Sequence, residues 1–486
     1  MAIAAADRSN ALESGLWIGE ELVSSTAGGT MEHVNAVSGR VQKEFAVASR
    51  EEVDAAVGAA REAFPAWRDW QPDARRQALL RLADLLEANA EMLGTVCTLE
   101  AANLFSPYNA IYVAEYFRYY AGWCDKLTGD SVRPYPFTGI DYTMPEPVGV
   151  VGIFVASNGP LGFCGMAGAP ALAAGCSIVI KAPELAPFSP IPFARLCREA
   201  GIPAGVVNVI TGGPDVGNAL ASHPGVAKIS FTGGIATARK LQEACAATLK
   251  PLVMELGGKS AHVVFADADI DAAIGHAARF TGNAGQGCSL PTRLLVERPV
   301  YDRVVEGVAA AAESVVVGDP FDPATTMGPV ISNASLGRIL GLVTDAVDSG
   351  ARVVTGGDRM GGELADGFFV APTVLAEVDP ASRIAQTEIF GPVLSVIPFD
   401  TEQEAVEIAN ATEFGLAAYV QTTDMGRAHR MVRALEAGSV HVNSSGPGPL
   451  SPSIPFGGVK QSGYGRQGGR EGINEFLHTK NVYFNV

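Results

Sequence analysis

No cysteine in the sequence has a C-x-x-C partner; the seven (97, 124, 164, 176, 197, 245 and 288) are scattered and odd in number. That argues against a disulfide framework and suits a reducing cytoplasm, with most of the thiols acting as small buried apolar groups. The seven histidines (33, 223, 262, 276, 429, 441 and 478) show no ligand spacing, and no G-x-S-x-G elbow occurs. Neither a metal site nor a serine hydrolase is therefore expected. Positive charge is short: 35 Lys and Arg against 52 Asp and Glu give a net charge of −17. A phosphate backbone or an anionic membrane surface needs the opposite footprint, so no nucleic-acid or membrane partner is expected. Met1–Asn10 hold no basic region followed by an apolar run, so no secretory signal is expected, and the cytoplasm is the expected location. There is no internal repeat, no low-complexity tract and no G-x-G-x-x-G fingerprint.

What is present is a large, apolar, glycine-rich chain: 486 residues, 48% hydrophobic, with 55 glycines. This is too long for one ordinary core, and two or three lobes are expected. From Val148 to Ile180 there are 33 residues without a charge, longer than the ~20 a bilayer requires. Seven glycines and Pro160 and Pro170 interrupt the run, with Asn158 in its middle, so buried strand, loop, short helix and second strand fit better than a membrane span. Ser49-Arg50-Glu51-Glu52 matches a capping box, and a leucine-rich amphipathic helix is predicted over Asp73–Leu93. Strands are predicted at Gly149–Val155, Ser177–Lys181, Val206–Ile210, Lys228–Phe231 and Ala261–Phe265, alternating with helical stretches. One of these helices has Ser189 as N-cap, Pro190 at N1 and Gly201 as its stop. The alternation predicts an α/β fold with a parallel sheet covered by helices, its ligands at the carboxyl ends of the strands. A second α/β region should begin near Leu256; Lys126–Glu146 and Gly472–Val486 read as extended flanking strands.

Four short stretches carry candidate chemistry. Gly285-Gln286-Gly287-Cys288 precedes the apolar run Leu294–Glu297; its glycines let the backbone bend sharply and a ligand approach closely. A thiolate there can attack a carbonyl, or the cysteine can simply fill core. Glu255, in Met254-Glu255-Leu256-Gly257-Gly258-Lys259, is either a carboxylate whose burial makes it a poised base or a surface glutamate at a strand terminus. The adjoining Gly258-Lys259-Ser260 resembles a phosphate loop, but Val253 occupies the position where that loop needs glycine. Lys181 and Glu184 follow a buried strand at the edge where ligands bind, either gripping ribose hydroxyls or forming a solvated turn. Gly233 lies where another strand ends and a helix opens, a place for a pyrophosphate.

Taken together and in order, these stretches resemble the aldehyde dehydrogenase superfamily, of the NAD(P)-dependent hydrolytic type, across nearly the whole chain. The resemblance is also carried by Ser157-Asn158-Gly159-Pro160-Leu161, Gly205-Val206-Val207-Asn208-Val209, Glu388-Ile389-Phe390-Gly391-Pro392-Val393 and Pro455-Phe456-Gly457-Gly458-Val459-Lys460. It implies a Rossmann-type parallel-sheet cofactor domain (1–124 and 147–255), an α/β catalytic domain (256–445) and an oligomerisation β-arm (125–146 and 472–486), with 446–471 returning to the cofactor domain. It implies Cys288 as nucleophile, Asn158 with the Cys288 N–H as oxyanion donors, and Glu255 as the base that hydrolyses a thioester. Lys181 and Glu184 would hold the adenosine ribose, Gly233 the pyrophosphate, and Glu388 and Phe390 the nicotinamide ribose and ring. The implied partners are a small-molecule aldehyde and further copies of the chain, as a homodimer or homotetramer. A carboxylate at Glu184 favours a free ribose 2′-hydroxyl, so NAD is expected over NADP.

The sequence departs from the family pattern where it bears on substrate and proton flow. Ala156-Ser157 stands where Pro-Trp is common, and Gly159 where Phe usually follows the asparagine, which should widen the channel. Ala167 and Gln467 replace a lysine and a glutamate that in relatives help relay the proton from the base. Tyr108, Tyr112 and Tyr116 fall at i, i+4 spacing with Phe105 one turn earlier, either lining a binding face or packing as core. By analogy with the family this helix, Phe163, Met166 and the loop Ser444–Pro449 shape a roomy pocket for an apolar or aromatic aldehyde. The alternatives are an enzyme that passes the acyl group to coenzyme A, against which Glu255 speaks, a thiol esterase that needs no nucleotide, and a non-catalytic protein on the same fold.

Overall fold

The computed structural model describes residues 8–444 and 451–485. Four helices lead into the first large sheet: α1 (Arg50–Arg68), α2 (Pro72–Ala88), α3 (Ala90–Ala101) and α4 (Tyr108–Ala121). α1 opens with the expected capping box, in which Ser49 accepts from Glu51 N–H and Glu52 accepts from Ser49 N–H at 2.6 Å. The single helix expected over 73–93 is two. Asn89 leaves helical geometry (φ −106°, ψ 18°) and donates its side-chain amide to Leu85 O at 2.8 Å. An asparagine side chain competes in this way for backbone groups, and its short reach favours a break.

The charge-free stretch folds as β1 (Val150–Phe154), α5 (Pro160–Ala174) and β2 (Ser177–Ala182). Among the described residues no helix is long and apolar enough to cross a membrane. Next come α6 (Pro190–Glu199), β3 (Val207–Thr211), α7 (Pro214–Ser222), β4 (Lys228–Gly233), α8 (Ile235–Ala246) and β5 (Leu252–Leu256). The five strands are parallel in the order β3-β2-β1-β4-β5, the centre of an eight-stranded sheet with short antiparallel edges. The order reverses between β1 and β4, and such a switch point opens a crevice at the carboxyl ends of the strands. Trp67, Leu79, Phe117, Leu172 and Phe193 pack one face of this sheet.

The N-cap expected of Ser189 is absent, because Ser189 is itself helical in geometry. The buried Glu100 carboxylate does that work from α3, accepting from the N–H groups of Phe188 at 2.6 Å and Ser189 at 3.0 Å. A residue far away in sequence supplies the oxygen, so the local pattern could not reveal it.

Residues 257–260 cross to a seven-stranded sheet. Its parallel strands are β6 (Ala261–Val264), β7 (Arg293–Glu297), β8 (Thr373–Ala376), β9 (Val393–Phe399), β10 (Ala417–Gln421) and β11 (Ser439–Val442), in the order β8-β9-β7-β6-β10-β11. Val263, Leu295, Ile339, Phe399 and Val420 anchor its core. A third, antiparallel sheet pairs Ile140–Pro147 with Leu477–Phe484 along eight residue pairs, and Ser131–Val132 joins its edge. The expected extended tail is thus part helix, since Gly469–Asn474 is helical before the strand begins. Val132, Ile140, Tyr483 and Phe484 are exposed on this sheet.

Candidate active site

The carboxyl ends of β1 to β5 converge on a cleft of about 860 Å³. Lys181, Glu184, Gly233, Glu255, Glu388 and Phe390 line it, and so do Asn158 and Cys288. Lys181 and Glu184, each expected to face a ligand, pair with one another at 2.9 Å. Lys181 is the more buried of the two, and burial lowers its pKa while Glu184 opposes the shift. Thr232 and Glu255 are register neighbours on β4 and β5.

Cys288 sits in the segment between the turn Ala278–Gly285 and β7. Three consecutive residues before it are left-handed: Asn283 (φ 50°), Ala284 (φ 51°) and Gly285 (φ 74°). A side chain on Gly285 would place its Cβ 2.0 Å from Gly391 O, so the turn needs glycine there for space as well as for φ. A Cβ on Gly258 would stand 2.3 Å from Cys288 O. The Gly-Gly pair after Glu255 thus brings the cysteine segment onto the end of β5.

Glu255 is 2% exposed, and among the described residues neither carboxylate oxygen has a nitrogen or oxygen hydrogen-bond partner, only the Cys288 thiol beside it. Burial pushes its pKa up to about 8; the neighbouring Cys288 thiol pulls it down and Glu388 adds to the rise. Burial also raises the half-buried Cys288 thiol well above its ordinary value, and the Glu255 and Glu388 carboxylates push the same way. Glu388 accepts from Gly258 N–H at 3.0 Å. Phe390 holds a left-handed φ of 49°, an uncommon state for an aromatic residue, as it lines the cleft.

The Asn158 side-chain amide donates to Gln286 O at 3.0 Å, leaving its second N–H proton for a ligand. Its backbone carbonyl accepts from Asn103 at 3.0 Å and from Asn283 at 3.3 Å. Asn103, Asn283 and Gln286, whose side chain accepts from Ile331 N–H at 2.9 Å, therefore hold the asparagine to the cysteine segment. Sequence reasoning missed all three. For Asn283 the signal was available: it follows Gly282, and asparagine is the commonest non-glycine choice for a left-handed turn.

On the other side of Cys288 lies a second cavity of about 340 Å³, which shares Asn158, Phe163 and Cys288 with the cleft. Tyr112, Phe163 and Met166 line it. Gly159 lines it too, and a Cβ there would meet nothing within 4 Å, so the missing side chain leaves open space. The tyrosine stripe divides: Tyr108 is 64% exposed, Tyr116 is buried at 1%, and Tyr112 reaches the cavity with its hydroxyl 3.1 Å from that of Tyr116. Phe105 stacks on Phe321 instead. Of the loop Ser444–Pro449, all but Ser444 lies outside the described residues. The wall is more polar than an apolar pocket requires, with Asn103, Asn109, Arg279 and His441 present. Ala167 is buried, and Gln467 donates to the Thr232 hydroxyl at 3.4 Å.

Comparison with known proteins yields one consistent result. The family model described as "Aldehyde dehydrogenase family" matches residues 22–482. An aldehyde dehydrogenase of Emericella nidulans is 39% identical over 478 residues, covering 97% of this chain and 95% of its own. A betaine aldehyde dehydrogenase of Sinorhizobium fredii is 40% identical over 478 residues, covering 96% of each. The solved structure of betaine aldehyde dehydrogenase from Staphylococcus aureus in complex with NAD+ is similar with a TM-score of 0.95 at 34% identity, covering 98% of this chain and 97% of that one.

Proposed function

The chain belongs to the aldehyde dehydrogenase family, and on that footing we propose that it oxidises an aldehyde to a carboxylic acid with NAD, through a thiohemiacetal and a thioester on Cys288. The observation that carries this reading is the meeting of two cavities at one cysteine, with a buried carboxylate beside its thiol.

The residues present fit a dinucleotide. The cleft lies at the switch point of a parallel sheet, where α8 opens at Gly234 with nothing within 4 Å of a Cβ position. Gly233 and the start of α8 would take the pyrophosphate, Lys181 and Glu184 the adenosine ribose, and Glu388 and Phe390 the nicotinamide end. NAD when bound supplies a hydride acceptor. The Glu184 carboxylate favours a free 2′-hydroxyl over a 2′-phosphate, and this supports NAD over NADP.

Cys288, as thiolate, attacks the aldehyde carbon, and the carbonyl oxygen becomes an oxyanion. The free Asn158 N–H and the Cys288 backbone N–H stabilise that charge, an arrangement whose loss costs ~10²–10³ in rate. Once the hydride has left, the acyl group remains on Sγ as a thioester. Glu255, ionised, takes a proton from the water that attacks this carbonyl; the C–S bond breaks and the acid departs. With Ala167 and Gln467 in place of a charged relay, the proton leaves Glu255 through water or neutral groups. The aromatic and apolar residues Tyr112, Phe163 and Met166 support a substrate with an apolar or aromatic body.

Residues 1–124 and 147–255 act as the cofactor domain and 256–445 as the catalytic domain. The exposed apolar side chains on residues 125–146 and 472–486 support an arm through which copies assemble as a dimer or tetramer, in the cytoplasm. An aldehyde panel with NAD, followed by NADH absorbance, tests the function. NADH should form with apolar and aromatic aldehydes; formation with none of them, under either nucleotide, would overturn it.

A further inference from the structure

The loop 183–189 between β2 and α6 brings Glu184 to the cleft, and two buried side chains that the proposed reaction does not use hold it from outside. The first is His33, the only buried residue of the strand Thr30–Asn35, which pairs with Arg40–Ala46. Its Nε2 lies 3.0 Å from Glu100 O and 3.1 Å from Leu185 O, while Nδ1 has no hydrogen-bond partner among the described residues. A carbonyl only accepts, so the ring's proton sits on Nε2, shared between the two oxygens. Burial lowers the His33 pKa, which leaves the imidazole neutral near pH 7. Glu100 O is one of the last four carbonyls of α3, which have no partner within the helix. Gln42, from the same hairpin as His33, donates to the carbonyl before it, Leu99 O, at 3.2 Å.

The second side chain is Glu100 itself, 3% exposed, whose carboxylate accepts from the N–H groups of Phe188 and Ser189. The Phe188 ring closes the arrangement, edge-on to His33 at 5.2 Å and to Phe45 at 5.9 Å. One residue of α3 thus grips the loop at two points, its backbone through His33 and its side chain directly. Leu185, which His33 reaches, follows Glu184 in the chain, and the Glu184 carboxylate pairs with Lys181 at 2.9 Å.

We propose that His33 is a positioning residue for the cofactor: with Glu100 it fixes the loop 183–189, so that Glu184 meets the adenosine ribose already in place. This rests on the dinucleotide binding proposed above. Removing a buried donor leaves two carbonyls unpaired and frees the loop. Only the fraction of molecules with Glu184 in place then binds the adenosine end tightly. The nicotinamide end, assigned to Glu388 and Phe390 on a different segment, is untouched.

The test titrates wild type and variants with AMP, which carries the adenosine ribose, and with NMN, which carries the nicotinamide ribose, both followed by ligand NMR. His33→Ala should weaken AMP binding ~5–30-fold and leave NMN within about twofold. His33→Gln should recover most of the AMP affinity, since its amide nitrogen stands as many bonds from Cβ as Nε2 does and has a proton for each carbonyl. His33→Asn is one bond too short and should behave as His33→Ala. In a Glu184→Ala background, His33→Ala should cost AMP about twofold or less, because it acts through that carboxylate. The reciprocal effect needs no variant: AMP bound to the wild type should slow amide hydrogen exchange in residues 30–35 as well as in 183–189. Equal AMP affinity in wild type and folded His33→Ala, AMP and NMN weakened alike, or exchange in 30–35 that AMP leaves unchanged overturns the proposal. Failure of the dinucleotide reading is distinct: the wild type then binds neither AMP nor NAD, and this proposal falls with it.

Discussion

The two cavities that meet at Cys288 are built by different means. The larger is a product of topology: parallel strands end together, helices open beside them, and glycines leave the backbone clear. The smaller is a product of side chains delivered by distant segments, from Asn103 through Tyr112 and Arg279 to His441. A cleft set by strand order accepts much the same ligand whatever the surrounding loops do, whereas a cavity walled by individual side chains changes its preference with single substitutions. In the proposed reaction the shared chemistry falls at the seam, with cofactor choice on one side and substrate choice on the other.

Substitution at the seam should stop the chemistry while leaving binding in the larger cleft intact. Cys288→Ala is expected to lower turnover by about 10³-fold or more, since in the proposed reaction the acyl intermediate is carried on its Sγ. NAD binding, followed by calorimetry, should persist because the cleft is intact; lost binding with retained fold would show that the two cavities are not separable. Glu255→Gln should lower steady-state turnover by ~10²–10⁴. Asn158→Ala should cost ~10²–10³ in kcat, with KM for NAD little changed; a rise in that KM alone would move Asn158 from the seam to the cleft.

Smaller effects separate the sides. Glu184→Gln should narrow a preference for NAD over NADP of about tenfold or more, read as kcat/KM, without altering the ranking of aldehydes. Glu255 gives a pH signature. With its pKa near 8, it is protonated below that pH and able to act as a base above it. Turnover limited by hydrolysis should therefore rise as pH increases through about 8, and Glu255→Gln should lose this limb. Stability runs the other way: the folded state holds a proton that the unfolded chain releases near the ordinary carboxyl pKa, so this contribution is lost as pH rises from about 4.5 to 8. The Tm of Glu255→Gln relative to wild type should accordingly climb across that window and level off above it.

The same division explains what could be read in advance. The strands of the first sheet are near-continuous apolar runs such as Ser177–Ala182, buried on both faces, and such runs with helices between them announce a parallel sheet. Lys181, Glu184 and Gly233 stand at the ends of those runs, so the cleft could be located from order alone. Cys288, Glu255 and Asn158 were legible because short glycine-containing motifs surround them. The break at Asn89 was not, since the leucine spacing continues on both sides of it, and neither was the cap from Glu100, which arrives from another helix. The polar wall of the smaller cavity was hidden for the same reason: Asn103, Arg279 and His441 come from separate elements, and only the fold brings them together.

The division of labour at the seam is open to one direct measurement: rapid mixing of Glu255→Gln with NAD and a reactive aldehyde, followed by intact mass. One NADH should form per active site before turnover stalls, and an acyl adduct should appear on Cys288. Near-normal steady turnover by the folded variant, or a stall with no adduct on Cys288, would contradict the assignment of Cys288 as nucleophile and Glu255 as the base that releases it.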